Sequence, residues 1–148
     1  MHMTDLKELM RRGIEAYNAK DISALASLYA HDAELLWPGR GVFKGRSAIS
    51  SLYEEVDFKA FPDAKASIDN QAISGNLVIT EWSYGGTNTG QLTLADGSTA
   101  PATGKRVSGR GVNVAEYGED GLIKSERFYF DLMELLVQLG LVPTAARP

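Results

Sequence analysis

Apolar residues in the first half of the chain recur at every third or fourth position, a spacing typical of amphipathic helices. The first stripe predicts a helix that begins near Thr4 and buries Leu6, Leu9, Met10, Ile14 and Tyr17. Asp21 is a favourable N-cap for a second helix, and Ser47 for a third. Their predicted buried faces comprise Ile22, Leu25, Leu28 and Tyr29 in the second helix, and Ile49, Leu52, Tyr53 and Val56 in the third.

The second half of the chain changes to the two-residue alternation of half-buried strands. Residues 67–71, 73–85, 106–117 and 122–130 are predicted strands, and residues 35–37 predict a short strand before them. Turn signals follow at 95–98 and at 118–121, where Asp120-Gly121 favours a tight hairpin. Residues 74–76 suit either a hairpin tip or a bulge. A short apolar segment, 132–141, ends at Gly140 and Pro143.

Helices followed by sequential strands predict an α+β fold in one domain, residues 1–148, with a core of about 6–143. The expected architecture is a strongly curved antiparallel β-sheet wrapped around the N-terminal helices. Such curvature needs bulges or glycines within strands, and the candidates are Gly85, Gly86, Gly90, Gly109 and Gly111. The result is a cone with an internal apolar pocket.

Composition narrows the chemistry that this pocket can perform. The 148 residues include no cysteine and two histidines, His2 and His31, so a multi-histidine or thiolate metal site is not expected. His31 is predicted to be a surface or helix-capping residue. The net charge is −4, the basic residues do not cluster, and no apolar run reaches 18 residues. We therefore expect a cytoplasmic protein that binds no nucleic acid and no membrane.

Several segments resemble nuclear-transport-factor-2-like domains and, within them, SnoaL-like polyketide cyclases. The first are Glu15-Ala16-Tyr17-Asn18 and Trp37-Pro38, and the more specific ones are residues 86–90, 101–105, 126–131 and 138–140. The resemblance implies cofactor-free ring closure by intramolecular aldol condensation, with no metal, and a homodimer formed through the sheet. It also implies that Asp131, after Phe128-Tyr129-Phe130, is the general acid/base.

The residues themselves leave alternatives open at three candidate catalytic positions. Asp131 precedes an apolar helical run, so it could instead be an N-cap. Asn88 stands where the family often carries histidine; it could donate to an enolate oxygen or simply occupy a turn. Arg110, between Gly109 and Gly111, could enter the pocket or face solvent.

The remaining site predictions concern the pocket wall and the outer charges. Large aromatic residues are predicted to contact the substrate, namely Trp37, Tyr53, Trp82, Tyr84 and Phe128. Glu126 and Arg127 are predicted to lie on the solvent or dimer face.

Three functions fit these features. The first is a SnoaL-like enzyme that acts on a small hydrophobic or polyketide-like carbonyl compound. The second is an epoxide hydrolase of the limonene-epoxide-hydrolase type, which residues 129–132 also resemble. That chemistry needs an Asp-Arg-Asp arrangement, for which Arg110 would have to substitute from a neighbouring strand. The third is a non-catalytic ligand-binding or dimerisation module.

Overall fold

Four helices and eight strands make up residues 3–142, the part of the chain that this computed structural model describes. The predictions that involve His2 and Pro143, and both ends of the predicted domain, lie outside these residues. The helices are α1 (Met3–Ala19), α2 (Ile22–Ser27), α3 (Arg46–Ser51) and α4 (Leu132–Gln138), and a π-helical segment (Leu52–Phe58) continues α3. Within residues 3–142, no helix combines the length and apolar character needed to cross a bilayer.

Two of the predicted helix starts can be checked against capping geometry. The side chain of Asp21 accepts a hydrogen bond from the Ala24 amide at 3.0 Å, which confirms it as the N-cap of α2. The predicted cap at Ser47 is wrong. Gly45, with a φ of 92°, is the N-cap of α3, and its carbonyl accepts from the Ile49 amide at 3.1 Å. The helix thus begins before Ser47.

The strands are β1 (Tyr29–Trp37), β2 (Gly41–Lys44), β3 (Lys65–Ser74), β4 (Leu77–Thr87), β5 (Leu92–Thr93), β6 (Thr99–Ala100), β7 (Arg106–Tyr117) and β8 (Ile123–Phe130). Six of them form one sheet in the order β2-β1-β8-β7-β4-β3, and β5 pairs with β6. The predicted α+β fold is confirmed. One pair departs from the predicted antiparallel arrangement, because β1 runs parallel to β8. Periodicity within a strand does not indicate the direction of a partner that is distant in sequence.

Turns at the predicted positions separate the antiparallel strands. Ser74 pairs with Leu77 around Gly75, so residues 74–76 are a hairpin tip, and the predicted strand 73–85 is divided there. The predicted hairpin at 118–121 is confirmed, since the Gly118 amide donates to the Leu122 carbonyl at 2.9 Å. A bulge interrupts β3 between Ile68 and Asn70.

The helices pack against the concave face of the sheet around one main apolar core, which includes Leu6, Leu25, Leu35, Ile49, Leu52 and Val78.

Two of the glycines predicted to allow curvature also let aromatic rings approach the strand. A Cβ built on Gly111 would lie 2.4 Å from Cη2 of Trp82, and one on Gly109 would lie 2.8 Å from the Tyr84 ring. Gly90 lies outside the strands, contrary to the prediction.

Candidate functional site

A cavity of about 130 Å³ lies between the helices and the concave face of the sheet. Its wall is mainly apolar and aromatic. All five residues predicted to contact a substrate line it: Trp37, Tyr53, Trp82, Tyr84 and Phe128. An apolar cavity of roughly 150 Å³ is large enough to bind benzene, so this cavity can receive a small organic molecule.

Aromatic rings on three strands contact one another along the sheet side of this cavity. The ring centroids of Trp37 and Phe128 are 5.0 Å apart, and those of Trp37 and Phe130 are 5.5 Å apart. Trp82 continues the row at 6.2 Å from Phe128. These tilted and edge-to-face contacts hold the rings in place and create a dry surface suited to an unsaturated or cyclic molecule.

One buried carboxyl group, that of Glu126, belongs to the cavity wall. The residue is 3% exposed. The Tyr29 hydroxyl donates to its Oε1 atom, and Asn113 Nδ2 donates to Oε2 at 2.7 Å. The hydroxyls of Tyr29 and Tyr53 are 2.9 Å apart. Since Tyr29 uses its hydrogen on Glu126, Tyr53 is the donor to Tyr29.

Burial raises the pKa of Glu126 to about 7, although the hydrogen bonds from Tyr29 and Asn113 act in the opposite direction. A carboxyl group with a pKa near 7 gains and loses its proton readily at neutral pH. Glu126 is therefore equipped to remove a proton from a bound molecule and return it.

The prediction that Glu126 faces solvent is wrong, because Glu126 lies two residues before the wall residue Phe128 with no bulge between them, and strand alternation places both side chains on the concave face. A bulge lies earlier in β8. Tyr117 pairs with Ile123 and Glu116 pairs with Ser125, so Lys124 is an extra residue with no partner in this register. An extra residue reverses the faces that subsequent side chains occupy. As a result, Ile123 and Glu126, three residues apart, are both buried.

A second carboxyl group, that of Asp57, enters the cavity from the helical side. Asp57 belongs to the π-helical segment, and its Oδ2 atom accepts a hydrogen bond from the Tyr17 hydroxyl of α1 at 2.8 Å. Burial raises the pKa of Asp57 to about 6, against the opposing effects of the Tyr17 hydroxyl and the Lys20 charge. The cavity thus has one carboxyl group with a raised pKa on the sheet and another on the helices.

Sequence reasoning did not identify Asp57, although a signal was present. Asp57 follows the predicted buried residue Tyr53 by four positions, which places both on the same face of a helix. An acidic residue on a buried helical face is uncommon and is therefore informative.

Asp131, the predicted general acid/base, caps α4. Its Oδ1 atom accepts from the Glu134 amide at 2.9 Å, and the residue is exposed and outside the cavity lining. The charge of Asp131 nevertheless acts on one cavity residue, Tyr84. The pKa of Tyr84 is raised to about 12, mainly by burial and then by the negative charges of Glu134 and Asp131. The cap that the sequence allows is present, and the catalytic role stays a prediction.

Asn88 is fully buried but lies outside the cavity lining. Its Nδ2 atom donates to the carbonyls of Ala60 at 3.0 Å and Gly90 at 2.9 Å. Its Oδ1 atom accepts from the amide of Thr103 at 2.7 Å and from the Thr103 hydroxyl at 2.9 Å. The side chain thereby joins three segments of the chain.

Arg110 is exposed and does not line the cavity. The rings of Tyr84 and Trp82 cover its neighbours Gly109 and Gly111 on the concave side. Strand alternation therefore directs Arg110 to the opposite face. The structure does not bring Asp131, Asn88 and Arg110 together in the cavity. His31, as predicted, is at the surface, although it lies in β1 and not at a helix end.

The curved sheet packed on helices has the nuclear-transport-factor-2-like, or ketosteroid isomerase-like, fold, and its cavity contains acidic groups. More specifically, the chain belongs to the SnoaL-like domain family, which matches residues 10–126. No curated protein matches the chain by sequence comparison.

Solved structures share this fold at low sequence identity. A protein from Jannaschia sp. CCS1, provisionally classed as a SnoaL-like polyketide cyclase, is 17% identical, with a TM-score of 0.81 over 95% of this chain and 94% of that chain. IdmH from Streptomyces antibioticus, provisionally classed as a polyketide cyclase, is 24% identical, with a TM-score of 0.76 over 94% and 99%. SalBIII, an epoxide hydrolase/cyclase-like enzyme in pyran ring formation in the polyether salinomycin, is 19% identical, with a TM-score of 0.72 over 88% and 94%. At these identities the likeness shows the fold alone.

Proposed function

We propose that the chain is a cytoplasmic, cofactor-free enzyme that closes a ring in a carbonyl compound by intramolecular aldol addition. The observation that carries this proposal is Glu126, a carboxyl group with a pKa raised to about 7 in an aromatic cavity. Membership of the SnoaL-like family and the likeness to proteins classed as polyketide cyclases support it. The substrate is a small hydrophobic or polyketide-like molecule.

In the proposed reaction, Glu126 moves one proton twice. Its carboxylate removes a proton from a carbon adjacent to a carbonyl group, and an enolate forms. The enolate carbon attacks a second carbonyl carbon of the same molecule, which forms the new carbon–carbon bond and an alkoxide. Protonated Glu126 then returns its proton to the alkoxide oxygen. Tyr29 and Asn113 hold the carboxylate in position throughout.

The epoxide-hydrolase alternative has less support at this site. Its proposed arginine, Arg110, is exposed on the outer face, and no arginine lines the cavity in the described part of the chain. The likeness to SalBIII concerns the fold. We therefore favour proton abstraction from carbon over epoxide opening.

Deuterium exchange tests the proton abstraction without knowledge of the natural substrate. The protein is incubated in D₂O with three compact apolar ketones, cyclopentanone, cyclohexanone and 2-methylcyclopentanone, and deuterium uptake beside the carbonyl is followed by NMR. We expect the wild-type protein to accelerate exchange of at least one ketone. Glu126→Gln should lower that acceleration about 100-fold or more, because proton transfer by a positioned group contributes this much.

Glu116→Gln is the matched control, since Glu116 is an exposed glutamate on the adjacent strand β7. It should exchange at the wild-type rate. If Glu126→Gln matches the wild-type protein, or if the wild-type protein accelerates no exchange, the proposed function is wrong.

We also propose that two copies of the chain pair through the convex face of the sheet. Ile79, Val112, Val114 and Tyr129 form an apolar patch there, with Ile79 paired to Val114 and Val112 paired to Tyr129. Ile79 and Tyr129 are exposed in the single chain. Light scattering should give a dimer mass for the wild-type protein and a monomer mass for Val112→Asp, and a wild-type monomer would contradict the proposal.

A further inference from the structure

The carboxyl group of Glu126 has no positively charged group of the cavity wall beside it. Its hydrogen-bond donors, Tyr29 and Asn113, are both uncharged. Among residues 3–142, no lysine, arginine or histidine lines the cavity. When Glu126 is ionised, its negative charge therefore lies in an apolar wall without an opposite charge to offset it, and such a charge is costly to bury.

The second carboxyl group of the cavity, that of Asp57, differs in this respect. Asp57 accepts its hydrogen bond from Tyr17, and the positive charge of Lys20 favours its ionised form. Lys20 lies outside the cavity lining, and its Nζ atom is 5.0 Å from the centroids of both the Tyr17 and the Phe58 ring. The protein thus supplies an ammonium group, held on aromatic rings, to Asp57 but not to Glu126.

The sheet beside Glu126 carries aromatic rings of the same kind. Phe128 follows Glu126 on the concave face of β8, at a spacing of about 7 Å along the strand. The Trp37 ring meets Phe128 at an interplanar angle of 49° and Tyr53 at 80°, so these rings do not stack flat on one another. Their electron-rich faces attract a positive charge that comes within about 6 Å of the ring centroid.

We propose that the cavity binds an organic ammonium group, a protonated tertiary amine or a quaternary ammonium, between the Glu126 carboxylate and the rings of Trp37 and Phe128. Aromatic rings are the usual means by which proteins recognise such cations. The inference names the class of the substrate, and to that extent it rests on the proposed function. Binding of the cation does not require turnover.

The groups that line the cavity suit an organic cation better than a metal ion or an anion. Metal ions are held by several oxygen, nitrogen or sulfur ligands together. In the described part of the chain, no three His, Cys, Asp or Glu side chains are grouped so that they could hold one. A carboxylate or phosphate ligand would bring a second negative charge close to Glu126, with no cation in the lining to offset either.

A cationic substrate also balances charge throughout the proposed reaction. The ammonium first faces ionised Glu126. When Glu126 takes the proton from the carbon beside the carbonyl, it becomes neutral and the negative charge moves to the enolate of the same molecule. The charge passes to the alkoxide as the carbon–carbon bond forms, and Glu126 then returns its proton to the alkoxide oxygen. The ammonium therefore faces one negative charge at every stage, and no other reactant is consumed.

Two probes of the same shape separate the effect of charge from that of size. Choline carries a quaternary nitrogen where 3,3-dimethylbutan-1-ol carries a carbon atom, and the two molecules otherwise match. Their binding is measured by calorimetry at about pH 8, above the pKa of both carboxyl groups. We expect choline to bind about 10-fold or more tightly than the alcohol, because cation–π contacts are strong in a desolvated site. The anion 3,3-dimethylbutanoate should bind more weakly than either.

The pH dependence of choline binding gives a second measurement. Choline keeps its charge, whereas Glu126 gains a proton below a pKa of about 7 and Asp57 below about 6. Choline affinity should therefore fall between about pH 8 and pH 5, while that of the alcohol stays constant. The hydroxyls of Tyr29, Tyr53 and Tyr117 keep their protons over this interval, because burial raises the pKa of each.

Carboxyl variants locate the cation, and the ratio of choline affinity to alcohol affinity is the quantity compared. Glu126→Gln should lower this ratio about 10-fold, since it removes the facing charge. Asp57→Asn should lower it less, because Lys20 already offsets the charge of Asp57. Glu116→Gln, at an exposed position, should keep the wild-type ratio.

An aromatic variant tests the ring contact in the same way. Trp37→Leu keeps an apolar side chain but removes the ring face, so it should lower the ratio. A loss of packing that weakens both probes equally cancels in the ratio. If Trp37→Leu does not fold, Phe128→Leu makes the same comparison.

Several results would overturn the inference. They are no binding of choline to the wild-type protein, choline affinity no higher than that of the alcohol, or tightest binding of 3,3-dimethylbutanoate. A ratio that Glu126→Gln retains, or that Asp57→Asn lowers by as much, would also contradict it. Failure of the proposed function is distinguishable: choline selectivity without deuterium exchange would retain the ammonium site and refute the reaction, and exchange without selectivity would do the reverse.

Discussion

Asn113 Nδ2 lies 2.7 Å from Glu126 Oε2, whereas Asn113 Oδ1 has no hydrogen-bond partner among residues 3–142. The carboxamide therefore presents a donor to ionised Glu126 and keeps an unused buried acceptor. Rotation of the amide would bring this acceptor to the same place, where a protonated glutamic acid or a glutamine can donate to it. Asn113 can thus accommodate both protonation states of Glu126.

This relationship predicts that Glu126→Gln folds and changes how stability depends on pH. The pKa of Glu126 rises from 4.5 to about 7 on folding, so the folded wild-type protein retains a proton that the unfolded chain loses between these values. The wild-type protein should therefore lose stability as pH rises from about 4.5 to 7, by on the order of 3 kcal/mol. Glu126→Gln lacks this loss, and its advantage in urea unfolding should grow across that interval.

Asp57 titrates in both proteins, so its contribution cancels when the two unfolding curves are compared. Glu116→Gln should follow the wild-type curve, because Glu116 is exposed. A constant difference between Glu126→Gln and the wild-type protein from pH 4.5 to 8 would mean that Glu126 has no raised pKa.

Periodicity was sufficient to predict most of the architecture. The helical stripe from Leu6 to Tyr17, the Asp21 cap and the hairpin at 118–121 all depend on neighbours in sequence, and the structure contains each of them. The parallel contact between β1 and β8 joins segments about 90 residues apart, and local patterns carry no information about it.

The carboxyl groups of the candidate site were harder to predict than its aromatic wall. Glu126 lies two residues before the predicted wall residue Phe128, so alternation places it on the concave face, but a glutamate in a strand is ordinarily expected to face solvent. The aromatic wall was predictable, since Trp82 and Tyr84 alternate with polar Glu81 and Ser83. Large apolar side chains identify the concave face of a strand even where the pattern does not show which face an individual carboxylate occupies.

Asp131 offers a direct comparison between a capping role and a catalytic one. Asparagine is as good an N-cap as aspartate, so Asp131→Asn should retain the wild-type free energy of unfolding. Asp131→Ala removes the acceptor for the Glu134 amide and should cost about 1 kcal/mol. Because Asp131 lies outside the cavity lining, we expect both variants to keep the wild-type rate of deuterium exchange on a ketone.

A different result would change the assignment of the catalytic group. If Asp131→Asn folds with wild-type stability and loses exchange, the resemblance-based role of Asp131 is correct and α4 must move during the reaction. Parallel measurement of unfolding and exchange on the same samples distinguishes this result from damage to the fold.

Asn88→Ala is expected to weaken the fold and spare the chemistry. The substitution leaves the Thr103 amide without the Asn88 Oδ1 acceptor, whereas the Ala60 carbonyl still accepts from the Gly90 amide at 3.3 Å. Because an unsatisfied buried group costs about 1–3 kcal/mol, we expect a loss of that size in urea unfolding. The Asn88→Ala protein should still catalyse deuterium exchange on a ketone under native conditions. A stable Asn88→Ala protein that lacks this activity would instead support an oxyanion role for Asn88.

Gly111→Ala tests whether the Trp82 ring position depends on a bare strand. The added methyl would lie 2.4 Å from Cη2 of Trp82, so the ring must move into the cavity or the strands must separate. Overpacking of this kind costs about 1–3 kcal/mol. Gly85→Ala is the matched control, since its methyl meets atoms of Arg106 and Val107 at the ordinary distances of 3.5 and 3.6 Å. We expect Gly111→Ala alone to lose stability and alter tryptophan fluorescence.

Trp82→Leu should relieve much of that cost in the double variant, because the smaller side chain leaves room for the methyl. Equal stability of Gly111→Ala and the wild-type protein would show that the ring can adjust freely and that Trp82 does not define a fixed cavity wall.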